Sequence, residues 1–314
     1  MYLSGVCFFV GKDKYDRIVY TIKETIGEKG CVPMKDKLVI IRGGGDLATG
    51  VVQALWRAGF LLLVLEVPDP SAIRRQVAVS EAVYDGSAVV EDVTARCCKN
   101  GQAIEKAWRD HEVPVVVDPE GRSIAELKPW AVVDAILAKK NLGTTTAMAP
   151  HTIALGPGFT AGVDVDVVIE TKRGHNLGRL IYQGEAAPNT GIPGVIAGFG
   201  KERVIHSQAA GYFYGLANIG DMVEQGQPIG VITQEALADD QKPDAAMGIP
   251  VPATLTGLLR GQIRSAYPVV PGFKIADIDP RKEEIRNCFT ISDKARCLGG
   301  AVLTALCAMM QQEI

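Results

Sequence analysis

The stretch Leu38–Val67, "LVIIRGGGDLATGVVQALWRAGFLLLVLEV", decides how this chain is read. It opens on an apolar strand, Leu38–Arg42, and passes through three glycines into a helical pattern over Ala48–Ala58. A second apolar strand, Leu61–Val67, then carries a carboxylate, Glu66, near its end. Strands that read as unbroken apolar runs suit a sheet covered on both faces. A glycine-rich strand-to-helix turn leaves backbone N–H groups open at the positive end of a helix dipole, which suits a phosphate. Gly43, Gly44 and Gly45 remove side-chain bulk at that turn, and Gly50 is expected to allow close packing of the helix on the sheet. The spacing G-x-G-x-x-x-x-G is a variant of the dinucleotide fingerprint. Glu66 stands where a carboxylate accepts hydrogen bonds from ribose hydroxyls. Asp46 stands against a phosphate site. A carboxylate there repels phosphate unless a cation intervenes, and capping the helix is its other role.

Outward from this stretch, strand and helix alternate. Further strands are expected at Ala88–Val90 and Val113–Asp118, with a strand or helix near Ala131–Ala138. Helices are expected at Ser71–Ser80 and Gly101–Asp110. The alternation predicts an α/β fold whose main domain, residues 34–200, is a Rossmann-like parallel sheet with a β-rich elaboration. Asp118, in "VVVDPEGR", closes a strand on the edge where such sheets bind ligands, and also opens a turn before Pro119. The elaboration includes "IETKRGHNLGR", where Lys172, Arg173 and His175 cluster after an apolar strand and suit an anionic ligand.

Residues 201–280 hold a weak internal repeat, His206–Ile232 against Val251–Ile278. The step "GDMVEQGQPIGVI" resembles the turn of lipoyl- and biotinyl-type modules, which implies a barrel-sandwich-hybrid domain. Carriers of that type present a modified lysine between the halves. Here the linker is long and acidic, with Lys242 before Pro243, so a structural or docking barrel is expected. Residues 281–314 are expected to supply a C-terminal helix capped by Ser292 or Asp293. Residues 1–33 read as an extension before a natural start at Met34, forming a hairpin or short helix or left loosely ordered.

Composition bounds the function. Hydrophobic residues make up 47% and charged residues 22% of 314, enough for sizeable cores. The net charge of −3 and the lack of a long basic run argue against nucleic-acid binding. The longest apolar runs are too short for a membrane span. Seven cysteines without a C-x-x-C pair suit a reduced, cytoplasmic chain, with adjacent Cys97 and Cys98 as the one pair of redox interest. The four histidines show no metal-ligand spacing, so no metal site is expected. Self-association into a homo-oligomer stays open.

Taken together, "RGGGDLATG", "DPEG", "ALGPGFTAG", "VDVVIETKRGHNLGR", "PNTGIPG", "GDMVEQGQPIG" and "PGFKIADIDPR" resemble the YqeB-type accessory proteins of selenium-dependent molybdenum hydroxylase systems. Through the glycine-rich segment the chain is also distantly similar to xanthine dehydrogenase maturation factors. The resemblance implies an accessory or maturation role with a molybdenum hydroxylase or its maturation machinery as partner. The cofactor candidates are molybdenum cofactor, NAD(P) or another nucleotide. Two alternatives accompany that reading: an NAD(P)-dependent oxidoreductase with His151 or His175 as proton donor, and a ligand-free scaffold whose glycines only build corners.

Overall fold

A computed structural model describes residues 36–189, 191, 194–238 and 240–313. The proposed extension, residues 1–33, lies outside the described residues. The first part of the chain supplies β1 (Leu38–Arg42), β2 (Leu61–Glu66), β3 (Ser87–Val90), β4 (Val93–Cys97), β5 (Val113–Val117), β6 (Ala131–Asp134) and β7 (His151–Leu155). β8 (Thr160–Ala161), β9 (Val167–Ile169), β10 (Leu180–Ile181) and β11 (Gly184–Glu185) follow. The helices are α1 (Asp46–Arg57), α2 (Ala82–Asp85), α3 (Gly101–Arg109), α4 (Arg122–Leu127) and, at the end of the chain, α5 (Asp293–Gln312).

Nine strands form one sheet in the order β10-β9-β7-β6-β1-β2-β5-β4-β3. β1 lies parallel between β2 and β6, and the parallel pairing extends to β4 on one side and β9 on the other. Both edges are antiparallel, β3 on β4 and β10 on β9. β1 is buried on both faces. Val39 and Ile41 pack with α1 and α5, whereas Leu38 and Ile40 pack with residues of α3 and α4. The connections β6–β7 and β7–β9 contain no α-helix. Instead α5 covers that part of the sheet, placing Leu298 and Val302 in one cluster with Ile153, Leu155, Val167 and Ile169.

The remaining strands are β12 (Val204–His206), β13 (Gly211–Gly215), β14 (Met222–Val223), β15 (Pro228–Thr233), β16 (Ile249–Pro252), β17 (Gly257–Gln262), β18 (Tyr267–Val269) and β19 (Lys274–Asp279). They form two four-stranded antiparallel sheets, β12-β19-β17-β14 and β16-β15-β13-β18, with Phe213, Ile229, Leu259 and Ile278 between them.

The expected fold class is therefore corrected. In place of a Rossmann-like parallel domain joined to a barrel-sandwich hybrid, the chain forms a large mixed sheet and several small antiparallel ones, including the pair β11-β8. Local pattern shows which strands are buried, but edge pairing is set by contacts distant in sequence. The expected helix at Ser71–Ser80 is also absent. That segment holds 3-10 turns at Arg75–Val77 and Val79–Glu81. Its backbone is bonded to distant partners: Ser80 N–H to the Gly44 carbonyl at 2.9 Å and Val79 N–H to Thr49 Oγ1 at 3.0 Å. These bonds substitute for the local ladder a helix would make.

α1 and α5 touch through glycine. A Cβ on Gly50 would fall 2.3 Å from the Ala295 carbonyl oxygen, and one on Gly299 would fall 2.3 Å from the Gly50 carbonyl oxygen. Gly50 thus serves helix-on-helix contact with α5, not packing on the sheet.

Candidate functional site

Parallel strands bring their carboxyl ends to one edge of a sheet, and crevices there take ligands. β1, β2, β5 and β6 end together at a cavity of about 700 Å3, bordered by Gly43, Gly45, Glu66, Asp118 and Ile136 from that edge. The other wall comes from the segment after β2, from the start of α5, and from the small sheets through Arg260, Lys274 and Asp277. Seven basic side chains border the cavity against four acidic ones. In a chain of net charge −3, positive charge is concentrated here.

The three glycines divide the corner among themselves. Gly43 has φ +92°, and a Cβ there would sit 3.0 Å from the Ile136 backbone. Gly44 turns inward: its N–H donates to Glu66 Oε1 at 2.6 Å, and it does not border the cavity. Gly45 is the N-cap of α1 and makes no side-chain cap bond. A Cβ on it would meet nothing within 4 Å among the described residues, so among them the space in front of the first turn of α1 is open. Asp46 does not cap the helix; its carboxylate faces Arg74 Nη1 at 3.5 Å. A cation thus stands beside the carboxylate that had argued against a phosphate site.

Glu66 is held by the backbone. Oε1 accepts from Gly44 and Oε2 from Val67 at 2.9 Å, and burial raises its pKa against the effect of these bonds. Asp118 secures the start of α4, accepting from the Arg122 N–H at 3.0 Å and the Ser123 N–H at 2.8 Å. Burial opposes its charge, but the bonds from Ser123, Arg122 and Gly121 outweigh it and lower the pKa. Arg173 borders the cavity and pairs with Asp293 at 2.8 Å. Lys172 borders an adjoining cavity of about 400 Å3 that shares Arg173 and Lys294 with the first. His175 is exposed and borders neither.

Several basic residues at the site were not singled out in the sequence. Arg74 and Arg260 are 7% and 8% exposed. Lys294 lies in the first turn of α5, where a cation opposes the helix dipole, and burial and Arg173 lower its pKa. Three buried polar atoms of residues bordering the cavity have no hydrogen-bond partner among the described residues: Arg74 Nε, Ser80 Oγ and Arg260 Nε. Buried polar groups are ordinarily satisfied, so such atoms beside a cavity mark a place for a ligand. The signal for Arg260 was its place before a glycine inside a strand, a pattern that marks a bulge or a close backbone approach.

Other expected chemistry lies elsewhere. His151 starts β7 at the opposite end of the sheet, bonded to Glu313 at 2.7 Å and packed edge-on against Trp130. Cys98 is buried, and burial together with Cys97 pushes its thiol pKa up to about 11. Among the described residues no group of three His, Cys, Asp or Glu side chains gathers to hold a metal ion. Among them, too, no helix is long and apolar enough to cross a membrane.

Over 282 residues, 90% of its length, the chain is 47% identical to a curated protein of Escherichia coli (strain K12), the uncharacterized protein YqeB. The chain spans about half of that relative, 49% of its length. The identity is a likeness over that span and carries no selenium or molybdenum role with it. No family model matches. Among solved structures, the ectoine utilization protein EutE (DoeB) from Ruegeria pomeroyi is 12% identical, with 77% of this chain and 84% of that one covered and a TM-score of 0.23. An aspartoacylase family protein from Mesorhizobium loti is 14% identical over 77% and 84% of the two chains, with a TM-score of 0.26. A succinylglutamate desuccinylase from Silicibacter is 13% identical over the same shares, with a TM-score of 0.22. At such scores none of them bears on the chemistry of this chain.

Proposed function

We propose that this chain is a cytoplasmic accessory protein that binds a nucleotide or molybdopterin-type ligand by its phosphate end and serves the maturation of a selenium-dependent molybdenum hydroxylase. The observation that carries the ligand reading is the open corner at Gly45, set in a cavity of about 700 Å3 where basic side chains outnumber acidic ones. The phosphate accepts from the backbone N–H groups of the first turn of α1, with Arg74 beside Asp46 offsetting the carboxylate. Glu66 and Asp118 shape the cavity floor, and Arg173 and Lys294 add positive charge at its rim. A molybdopterin-type cofactor, when bound, would bring the metal chemistry that the partner enzyme uses. This chain's residues bind its phosphate and shelter it from water. The oxidoreductase alternative is weakened because its proton donors, His151 and His175, both stand away from the cavity.

Calorimetric titration of the full chain with molybdenum cofactor, NAD(P) and adenine nucleotides tests the ligand reading. Saturable binding of one of them, lost in Gly45→Asp, is expected; silence from all overturns it. The maturation role is tested by the selenium and molybdenum content of the hydroxylase purified from cells lacking this chain. Depletion is expected, and unchanged content removes the role.

A further inference from the structure

We infer that the cavity contains a second anion subsite, centred on Arg74 and Arg260, so that the ligand carries two linked anionic groups of the condensed-phosphate class. This rests on the glycine corner taking an anionic group, and it specifies what that group is joined to.

β17 brings Arg260 there by a bulge. Leu259 pairs with Ile278 and Gly261 with Asp277, so two steps along β17 match one along β19 and Arg260 is the additional residue. Bulges re-aim a side chain and recur beside sites. The aim of Arg260 is toward ligand space: it borders both the 700 Å3 cavity and a neighbouring one of about 410 Å3. Its nearest carboxylate, Asp279, is 3.9 Å away and already accepts from Arg281 Nε at 2.9 Å and Nη2 at 2.6 Å. A guanidinium withdrawn from water without a bonded counter-ion is costly, and an anion is its complement.

Arg74 arrives from the other side of the seam. The Gln262 N–H donates to the Ile73 carbonyl at 2.7 Å, and a Cβ on Gly261 would fall 2.8 Å from that oxygen. Glycine next to Arg260 therefore lets the Ile73–Arg74 backbone dock on β17. Arg74 Nη2 donates to the carbonyls of Asn287 and Thr290, and Nε has no partner among the described residues. Arg74 and Arg260 border the same cavity, and burial and the charge of Arg260 both lower the Arg74 pKa. Arg74 also faces Asp46 in the first turn of α1. The open helix end and the arginine pair thus border one cavity from facing walls, linked through the contact of Arg74 with Asp46. A single phosphate satisfies one of them; two linked phosphates satisfy both.

The test is calorimetry of the full chain with inorganic phosphate and inorganic pyrophosphate. Pyrophosphate is expected to bind about tenfold tighter, the worth of roughly one charge-assisted hydrogen bond. Arg260→Met should erase that advantage while leaving phosphate binding in place, and Arg260→Lys should keep part of it. A thermal melt of ligand-free Arg260→Met checks folding, and it should match or exceed the parent because a buried charge with only a distant carboxylate to offset it is gone. Equal affinities for the two probes, or an advantage that survives Arg260→Met, overturn the second subsite while phosphate binding leaves the corner standing. Failure of both probes to bind overturns the corner as well.

Discussion

The corner at Gly45 and the helix contact at Gly50 lie on one short stretch of chain and use the missing side chain in opposite ways. At Gly50 the space is filled, with the Ala295 carbonyl oxygen 2.3 Å from where a Cβ would be. At Gly45 it is left open. Gly50 reads as architecture, and Gly45, which borders the cavity, reads as part of the site. Substitution separates them. Gly50→Leu forces α1 and α5 apart and is expected to cost about 3 kcal/mol, read as a lower urea midpoint. Gly45→Ala should change stability by only about 0.5 kcal/mol, because an N-cap glycine is a modest cap and the added methyl meets nothing. Its effect belongs in anion affinity. Comparable destabilisation by the two variants would break the comparison.

Gly43 falls between these cases. Its φ of +92° lies in the region that favours glycine, and its Cβ would crowd Ile136. Gly43→Ala should cost about 1–3 kcal/mol, and the same urea measurement places it on the scale. A cost below that of Gly45→Ala would mean that the backbone relaxes at this turn.

Much of this corner is legible in the sequence. The unbroken apolar runs of β1 and β2 and the glycines between them require only local pattern, and α1, α3 and α5 match the expected helices closely. What escaped depends on distant partners. Ser71–Ser80 has helix-like composition, but Gly44, Thr49 and Gln262 bind its backbone instead. The edge strands of the large sheet pair antiparallel, a choice that no single strand encodes. Arg260 faces the cavity because β17 slips by one residue against β19, and a bulge exists only relative to its partner strand. The cluster at Lys172, Arg173 and His175 divides between two cavities and solvent because consecutive residues of a loop point different ways.

The contrast between filled and open space extends to charge and can be sharpened by pH. Glu81, 6% exposed, has Oε1 without a partner among the described residues, while Oε2 accepts from Arg264 at 2.8 Å. Burial, partly offset by Arg75 and Arg264, pushes its pKa up from 4.5 to about 7. A raised carboxylate binds its proton more tightly when folded. Its stabilisation is therefore complete below pH 4.5 and lost as the pH rises through about 7. The change should be on the order of 2 kcal/mol, and Glu81→Gln should flatten it in urea titrations at about pH 5 and about pH 8. An unaltered slope in the variant would assign the pH dependence to another group.

Glu313 is the opposite case, at the far end of the sheet, and should give the smallest effect. Its carboxylate accepts from Lys37 Nζ at 2.8 Å and Trp130 Nε1 at 2.7 Å, and meets His151 Nε2 at 2.7 Å. Partial burial opposes the charge, but the bonds to His151, Lys37 and Trp130 prevail and bring its pKa from 4.5 down to about 2. Here stabilisation is present above pH 4.5 and is lost as the pH falls through about 2. Because the side chain is 39% exposed, solvent screens most of this interaction. Glu313→Gln should thus lower the neutral-pH melting temperature only slightly and flatten the acid limb of the stability curve, parent and variant converging as the pH falls through about 2. A large loss at neutral pH would show that the clasp on the end of α5 is architecture of the Gly50 kind, holding the helix that covers β7 and β9.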